Sequence, residues 1–535
     1  MARTPLIRQL QEAASIAAEA NTTAATPDDV RANRQSRREF MRRAGLLGAG
    51  VGVLGLAGGV ATAAAAPVVA TPDSRRGDAT VVIVGAGLAG LSAAYRLKRH
   101  GIRATVLEGN SRVGGRCLTA RGKFADGQIV ERGGELIDTG HLAIRRMARE
   151  LGLELDDVLR AEPTGSMELY HFAGTSYTVD HAVADFAQLY PALQDDATAA
   201  GYPTLYNSFT PAGQALDNMS VRDWINSRVP GGVNSMLGRL LDVAYTIEYG
   251  AETSDQSSLN LVYLLSGSLE TELDIFGASD ERFKVRGGND LIVQRLAAEL
   301  GSQIVTDAKL TSIRTRDDAR VTLGVDGVPG RQIVADHVIL AIPFTTLRHV
   351  NFAQAGFNAV KTKAIRQLQL GSNTKLQLQF TDRHWKRFDN NGGTYADTGY
   401  QATWEATRAQ RGDAGILVDY TGGQVASALV GADPIVAARQ FLAQIEAVLP
   451  GITRKWNGKV TLDAWRANPW TNGAYAYWRV GEYTSFAGAE RERSGNIHFA
   501  GEHTSIDFQG YLNGAVDTGL AAAQEILADL HVPAA

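Results

Sequence analysis

The chain has 535 residues, 44% of them hydrophobic, enough for a large buried core and more than one domain. Its formal charge is -4, with 8 Lys/Arg against 5 Asp/Glu in the first 70 residues and 45 against 52 in the rest, a balance that excludes an electrostatic case for nucleic-acid binding. A single cysteine, Cys117, excludes an internal disulfide framework and any multi-cysteine metal site, and no metal is expected.

Residues 1–35 are rich in Ala, Thr and polar groups. They are followed by SRREFMR, Ser36–Arg42, and by an uncharged Ala/Gly/Leu/Val run from Ala44 to Ala66. A paired arginine ahead of a weakly hydrophobic stretch reads as a twin-arginine export signal. Residues 1–70 are therefore expected to be a leader handled by the Tat machinery and cut near Ala66 or Ala70, leaving a periplasmic or extracellular protein. About 20 apolar residues could also anchor a chain in a bilayer, but a run of mostly Ala and Gly is a poor membrane former.

From Ala79 to Asn110 the sequence runs through a β-branched stretch, a glycine turn, an Ala/Leu-rich helical pattern and a second β-branched stretch ending at Glu108, which predicts a βαβ unit. Gly85, Gly87 and Gly90 stand at GxGxxG spacing, which permits a tight turn, close approach of a pyrophosphate and close helix-to-strand packing. Glu108, 23 residues after Gly85, is placed to accept ribose hydroxyls. An ordinary glycine-rich turn does not explain that acid, so an adenine dinucleotide is expected.

Residues 146–277 read as mainly helical, with apolar residues at helical spacing in LGRLLDVAYTIEYG and SLNLVYLLSGSL. Thr374–Phe380 alternates as a strand, and a helix is expected near Ile435–Leu449. The stretch TNGAYAYW, Thr471–Trp478, reads by period two as a buried strand with Tyr475 and Tyr477 on one face. A strand Ile497–Ala500 then leads to a helix starting near Asn513.

Five further stretches decide between dinucleotides. SRVGGRC (Ser111–Cys117), ERGGELID (Glu131–Asp138), FKVRGGNDLIVQRLAAELG (Phe283–Gly301), ADHVILAIPFTTL (Ala335–Leu347) and NIHFAGEHTSIDFQGYLNGAVDTGLAAAQEIL (Asn496–Leu527) follow one another in an order and spacing that resembles the flavin-containing amine oxidase family. That family comprises monoamine, polyamine and L-amino-acid oxidases. The resemblance implies an α/β fold, with a discontinuous Rossmann-like FAD-binding domain (78–145, 278–345 and 458–535) and a second, α+β substrate domain (146–277 and 346–457) like that of monoamine oxidase.

The resemblance implies that FAD meets Gly85, Gly87, Leu88, Ala89, Gly90, Glu108, Gly114, Gly115, Arg116, Gly133, Gly134, Glu135, Leu310, Trp465, Gly501, Glu502, Tyr511 and Leu512. It assigns Tyr475 and Tyr511 to an aromatic cage that orients the substrate nitrogen, and Lys375 to a lysine that holds a water near flavin N5. Ala474 stands where covalently flavinylated relatives carry cysteine, so FAD is expected to be held without a covalent bond. Glu135 and Asp138 follow the Gly-Gly pair where L-amino-acid oxidases set an arginine, which favours an amine over an amino acid. Either acid could meet a second cation of a diamine or serve the FAD site, while Arg132 and Arg286 keep the amino-acid reading open. The expected partners are a small amine and oxygen, and the resemblance allows a homodimer. The alternatives are an L-amino-acid oxidase, a carbon–carbon desaturase and an inactive flavin-binding partner protein.

Overall fold

The structure, a computed structural model, describes residues 79–328 and 330–532; the expected leader lies outside the described residues. Val81–Val84 is apolar and β-branched at every position and buried on both faces, as a central parallel strand must be. Glycine is required next: Gly85 sits at φ +104, and a Cβ there would lie 2.6 Å from the Ala341 carbonyl oxygen. The turn feeds the helix Leu88–Arg99, whose last turn carries Arg96, Lys98 and Arg99 against the negative end of the helix dipole.

Val81–Val84 is the middle of a five-stranded parallel sheet in the order 497–499, 337–340, 81–84, 104–107, 304–305. Its strands thus come from three separated parts of the chain. The helix Leu512–Asp529 lies across Leu88–Arg99, and the crossing is close enough that a Cβ on Gly519 would stand 2.2 Å from the Ala89 carbonyl oxygen. A four-stranded sheet, 332–335, 321–326, 309–315, 351–354, flanks this layer.

The second large sheet has seven strands, ordered 456–464, 373–380, 415–422, 402–405, 390–396, 167–172, 175–177. Asn373–Phe380 is buried along its whole length between two antiparallel neighbours. The strand Trp456–Ala464 belongs to this sheet, so the domain boundary expected at 458 falls inside it. The hairpin Met167–Phe172/Thr175–Tyr177 interrupts a region expected to be mainly helical, and its two-residue turn places Ala173 and Gly174 at φ +51 and +75, as a tight hairpin needs.

Over this sheet pack the helices Val179–Ala200, Val221–Arg228, Met236–Tyr249 and Ser258–Leu265. Each begins at a Ser or Thr, namely Thr178, Ser220, Ser235 and Ser257, whose side chain accepts a first-turn backbone N–H. Trp224, Tyr245 and Tyr263 are fully buried in the core these helices enclose. Among the described residues, no helix is long and apolar enough to cross a membrane.

Candidate active site

A cavity of about 1200 Å³ runs from the carboxyl ends of the parallel strands to the inner face of the seven-stranded sheet. Ligands sit at the carboxyl ends of strands in such sheets because the loops there are free to diverge. The volume exceeds the range of about 300–1,000 Å³ usual for one small ligand. Of the residues expected to meet FAD, all but Gly90 line the cavity. Gly90 faces the protein instead: a Cβ on it would lie 1.9 Å from the Gly85 carbonyl oxygen, so its small size serves helix-to-strand packing.

The dinucleotide end fits the group that the sequence implies. A Cβ on Gly87 would meet nothing within 4 Å, so the missing side chain leaves open space beside the backbone. Gly114 and Gly115 turn the neighbouring loop at φ +104 and +55. Arg112 braces that loop by donating to the Gly115 carbonyl at 2.8 Å. Glu108 accepts the backbone N–H groups of Ala86 and Asn110, both at 2.8 Å, which fixes its carboxylate at the strand end. Burial pushes that carboxyl above its ordinary value, and the two bonds pull against the shift.

Arg116 donates to Glu502 Oε1 at 2.5 Å and to the Ala474 carbonyl at 2.7 Å, tying the loop after Gly115 to the C-terminal motif. Gly134 is pressed against Leu512, where a Cβ would come within 2.6 Å of Leu512 Cδ2. The helix Leu512–Asp529 starts at Tyr511 with no side-chain cap. Its positive end therefore stands at the cavity wall that Tyr511, Leu512 and Ala515 form.

At the other end stands Lys375. The register of the antiparallel strands sets Lys375 opposite Tyr420, and Tyr420 opposite Ala402, so all three face the cavity. Lys375 Nζ is 2.8 Å from Glu135 Oε2 and donates to the Gly133 carbonyl at 3.0 Å, with the Trp404 ring centroid 5.1 Å away. Burial would raise the Glu135 carboxyl, but Lys375 and then Lys284 outweigh it and hold it below the ordinary value. Gln377, two residues along the strand, donates to the Glu131 carbonyl at 2.8 Å and fastens the strand to the Gly133–Gly134 loop.

Tyr475 and Tyr511 line the same cavity. The hydroxyls of Tyr475 and Tyr420 are hydrogen-bonded at 2.8 Å, and the Tyr511 ring meets His141 edge-on at 4.8 Å between centroids. Burial holds the Tyr475 and Tyr511 hydroxyls well above their ordinary values, so both tyrosines present neutral rings. Tyr477 does not share this face: it lies in the two-residue strand Ala476–Tyr477, paired with Gln369–Leu370, and is buried away from the cavity. Trp465 lines the cavity and donates its indole N–H to the Arg132 carbonyl at 2.8 Å.

Residues 88–527 match the pattern of the flavin containing amine oxidoreductases. The chain belongs to that family. It is 26% identical over 511 residues to a nicotine dehydrogenase of Pseudomonas putida, an alignment spanning 92% of this chain and 97% of the relative. It is 25% identical over 472 residues to an L-amino-acid oxidase of Mus musculus, spanning 83% and 70%. Cyclohexylamine oxidase from Brevibacterium oxydans superposes with a TM-score of 0.74 at 23% identity, covering 85% of this chain and all of that one. The fold is thus a monoamine-oxidase-like α/β flavoprotein fold, the chain is an oxidoreductase, and its cofactor is FAD.

Sequence reasoning passed over Tyr420, Trp404, Tyr395 and the acids Glu168 and Glu281, which line the same cavity. The alternation of Gly415–Gly422 was a signal for Tyr420 once its pairing with Asn373–Phe380 is known. Asp138, by contrast, does not line the cavity; it accepts bonds from Ser279 and the Glu281 N–H.

Proposed function

We propose that this protein is an exported amine oxidase that converts a primary or secondary amine, oxygen and water to an aldehyde, ammonia or a shorter amine, and hydrogen peroxide. The observation that carries this reading is the Lys375–Glu135 ion pair facing the Tyr420–Tyr475 pair inside the cavity that holds the dinucleotide cradle. FAD, when bound, supplies the two-electron acceptor. Gly87, Gly115, Glu108 and Arg116 would hold it from its pyrophosphate and ribose side, and Gly133, Gly134 and Leu512 would press on its ring. The tyrosine walls favour the neutral amine over the ammonium ion, and the neutral form is the one that can give up a hydride. Lys375 would hold a water and move a proton beside the reacting carbon.

Three arginines line the cavity, and each is engaged elsewhere. Arg112 is bound to the Gly115 carbonyl, Arg116 to Glu502 and Arg408 to Glu162. Arg132 and Arg286 are not among the lining residues and are paired with Asp463 and with Asp156 and Glu154. A substrate carboxylate would find no unpaired guanidinium among the residues that line the cavity, which supports an amine over an amino acid.

The test is bleaching of the flavin without oxygen by a panel of monoamines, polyamines and amino acids. Reduction by amines is expected, and reduction by amino acids alone would overturn the reading. Export through the twin-arginine route is tested by sequencing the N-terminus of secreted protein, where an intact Met1 in a membrane fraction would count against it.

A further inference from the structure

Beyond the tyrosines the cavity wall is acidic. Glu168, from the strand Met167–Phe172, and Asp274 and Glu281, from the loop leading to Phe283, line it together. Glu168 accepts the Tyr170 hydroxyl at 2.9 Å. The Glu281 carboxylate has no hydrogen-bond or ion-pair partner among the described residues. Nor has the hydroxyl of Tyr395, a side chain only 7% exposed that lines the same cavity. Arg408 also lines this part but is spent on Glu162 and on the Glu405 carbonyl.

Burial, and then the charges of Asp138, Glu168 and Glu135, push the Glu281 carboxyl up to about 8, against a pull from Arg408. Burial lifts Asp274 to about 6, with Glu272 adding to the rise. Arg408, paired with Glu162, does not offset this crowding, and a cation placed among the carboxyls would lower the cost of ionising them. The wall adjoins the reactive end, because strand pairing sets Tyr170 opposite Tyr395, Tyr395 opposite Ala402, Ala402 opposite Tyr420 and Tyr420 opposite Lys375 in one row across the sheet. Tyr170 and Tyr395, 5.7 Å apart between centroids, add ring faces of the kind that attract ammonium groups.

We propose that Glu168, Asp274, Glu281 and Tyr395 form a subsite for a second ammonium group, so that the substrate is an aliphatic amine carrying a cationic nitrogen at its far end. The inference rests on the amine-oxidase reading of the cavity and deepens it. The two ends of such a substrate meet opposite environments. Apolar rings around Tyr475 favour loss of charge at the reacting nitrogen, whereas the acidic wall keeps the distal nitrogen charged. That difference sets which end is oxidised, and the same wall repels the carboxylate of an amino acid.

The test compares kcat/KM for diaminobutane and diaminohexane with butylamine and hexylamine on the FAD-loaded enzyme. A preference for the better diamine of about tenfold to a hundredfold is expected from one charge-assisted contact. Glu281→Gln and Glu168→Gln should each shrink the diamine-to-monoamine ratio, and Glu281→Asp should retain part of it; flavin content and the visible spectrum check that each variant is folded. Equal kcat/KM for diamines and monoamines would overturn the subsite and leave the amine-oxidase reading standing. A preference that survives both Gln variants would also overturn it. Flavin reduction by amino acids and by neither kind of amine would overturn the amine-oxidase reading and the subsite with it.

Discussion

Lys375 is held by neighbours on every side. The Glu135 carboxylate, the Gly133 carbonyl and the Trp404 ring fix its amine, and its strand is clamped between two others. Replacing it with Met keeps the length of the side chain and removes the proton-carrying end. Lys375→Met should slow flavin reoxidation or turnover by about a hundredfold, the lower end of the range for a positioned proton-transfer group, with little loss of bound FAD. Stopped-flow reoxidation reads the effect directly, and unchanged kinetics would remove Lys375 from the chemistry. Glu135 is left with an unpaired buried charge in that variant, so a fall in stability is expected alongside.

His503 offers a second test at the same scale. It is 1% exposed, both its ring nitrogens lack a partner among the described residues, and its ring stands edge-on to Phe344 at 4.7 Å. Burial holds it down to about 4 from 6.5, with Arg116 and Lys361 assisting and Glu502 opposing. The unfolded chain therefore takes up a proton on this residue below about pH 6.5 that the folded chain refuses until about pH 4. The contribution to stability is full above pH 6.5 and shrinks by up to about 2 kcal/mol by about pH 5. Denaturant unfolding of wild type and His503→Gln should accordingly show the wild-type advantage narrowing from neutral to acid pH, whereas parallel pH profiles would show that His503 does not titrate this way.

Among the elements, the crossing of Leu512–Asp529 over Leu88–Arg99 is a demanding contact, because Gly519 stands directly on the backbone at Ala89. Gly519→Val should force the helices apart, lower stability by about 1–3 kcal/mol, and weaken FAD binding, since the N-terminal end of the same helix forms the cavity wall. A urea midpoint and a flavin titration measure the two effects, and normal values for both would show that the helices can shift without cost.

Elements with a strong period were legible in the sequence. The βαβ unit, the strand over 374–380 and the helix in LGRLLDVAYTIEYG all lie where alternation or helical spacing put them. Two short pieces were not. The hairpin of 167–177 turns at Ala-Gly rather than at a stronger turn pair, and its strands are short. In TNGAYAYW only Ala476 and Tyr477 pair, so the period-two argument had no strand long enough to act on, and Tyr475 turns into the cavity on irregular backbone.

At the scale of the whole molecule, the cavity gathers residues from both large sheets and from the helical region, and only part of that gathering was readable. The dinucleotide end is built from glycine turns that carry their reason in their spacing. The acidic wall is not, because Glu168 and Glu281 come from separate loops and strands and no local pattern links them. Ala474 is the position from which the sequence argues against a covalent flavin link, and the structure adds a second reason to expect none. Cys117 also lines the cavity, but burial, reinforced by Glu131 and Asp290, holds its thiol well above the ordinary value, so it is not the activated thiolate that attachment would use. Acid precipitation should therefore leave a colourless polypeptide and a yellow supernatant. Returning FAD to the apoprotein should raise its melting temperature with FAD concentration, as a ligand that binds only the folded state must; colour retained on the chain would contradict the first expectation and a concentration-independent melting point the second.

The strand Ile497–Phe499 sits at the edge of the parallel sheet, and the helix Leu512–Asp529 that follows it covers the helix Leu88–Arg99. During synthesis the βαβ unit of 81–107 emerges long before either partner exists, so the part of its helix that Leu512–Asp529 covers stays open until that segment is made, even after Asp290–Leu300 has packed on it. Completion of the FAD site is thus a late event, and a chain truncated before Ile497 would be left with an open nucleotide cleft and an exposed sheet edge.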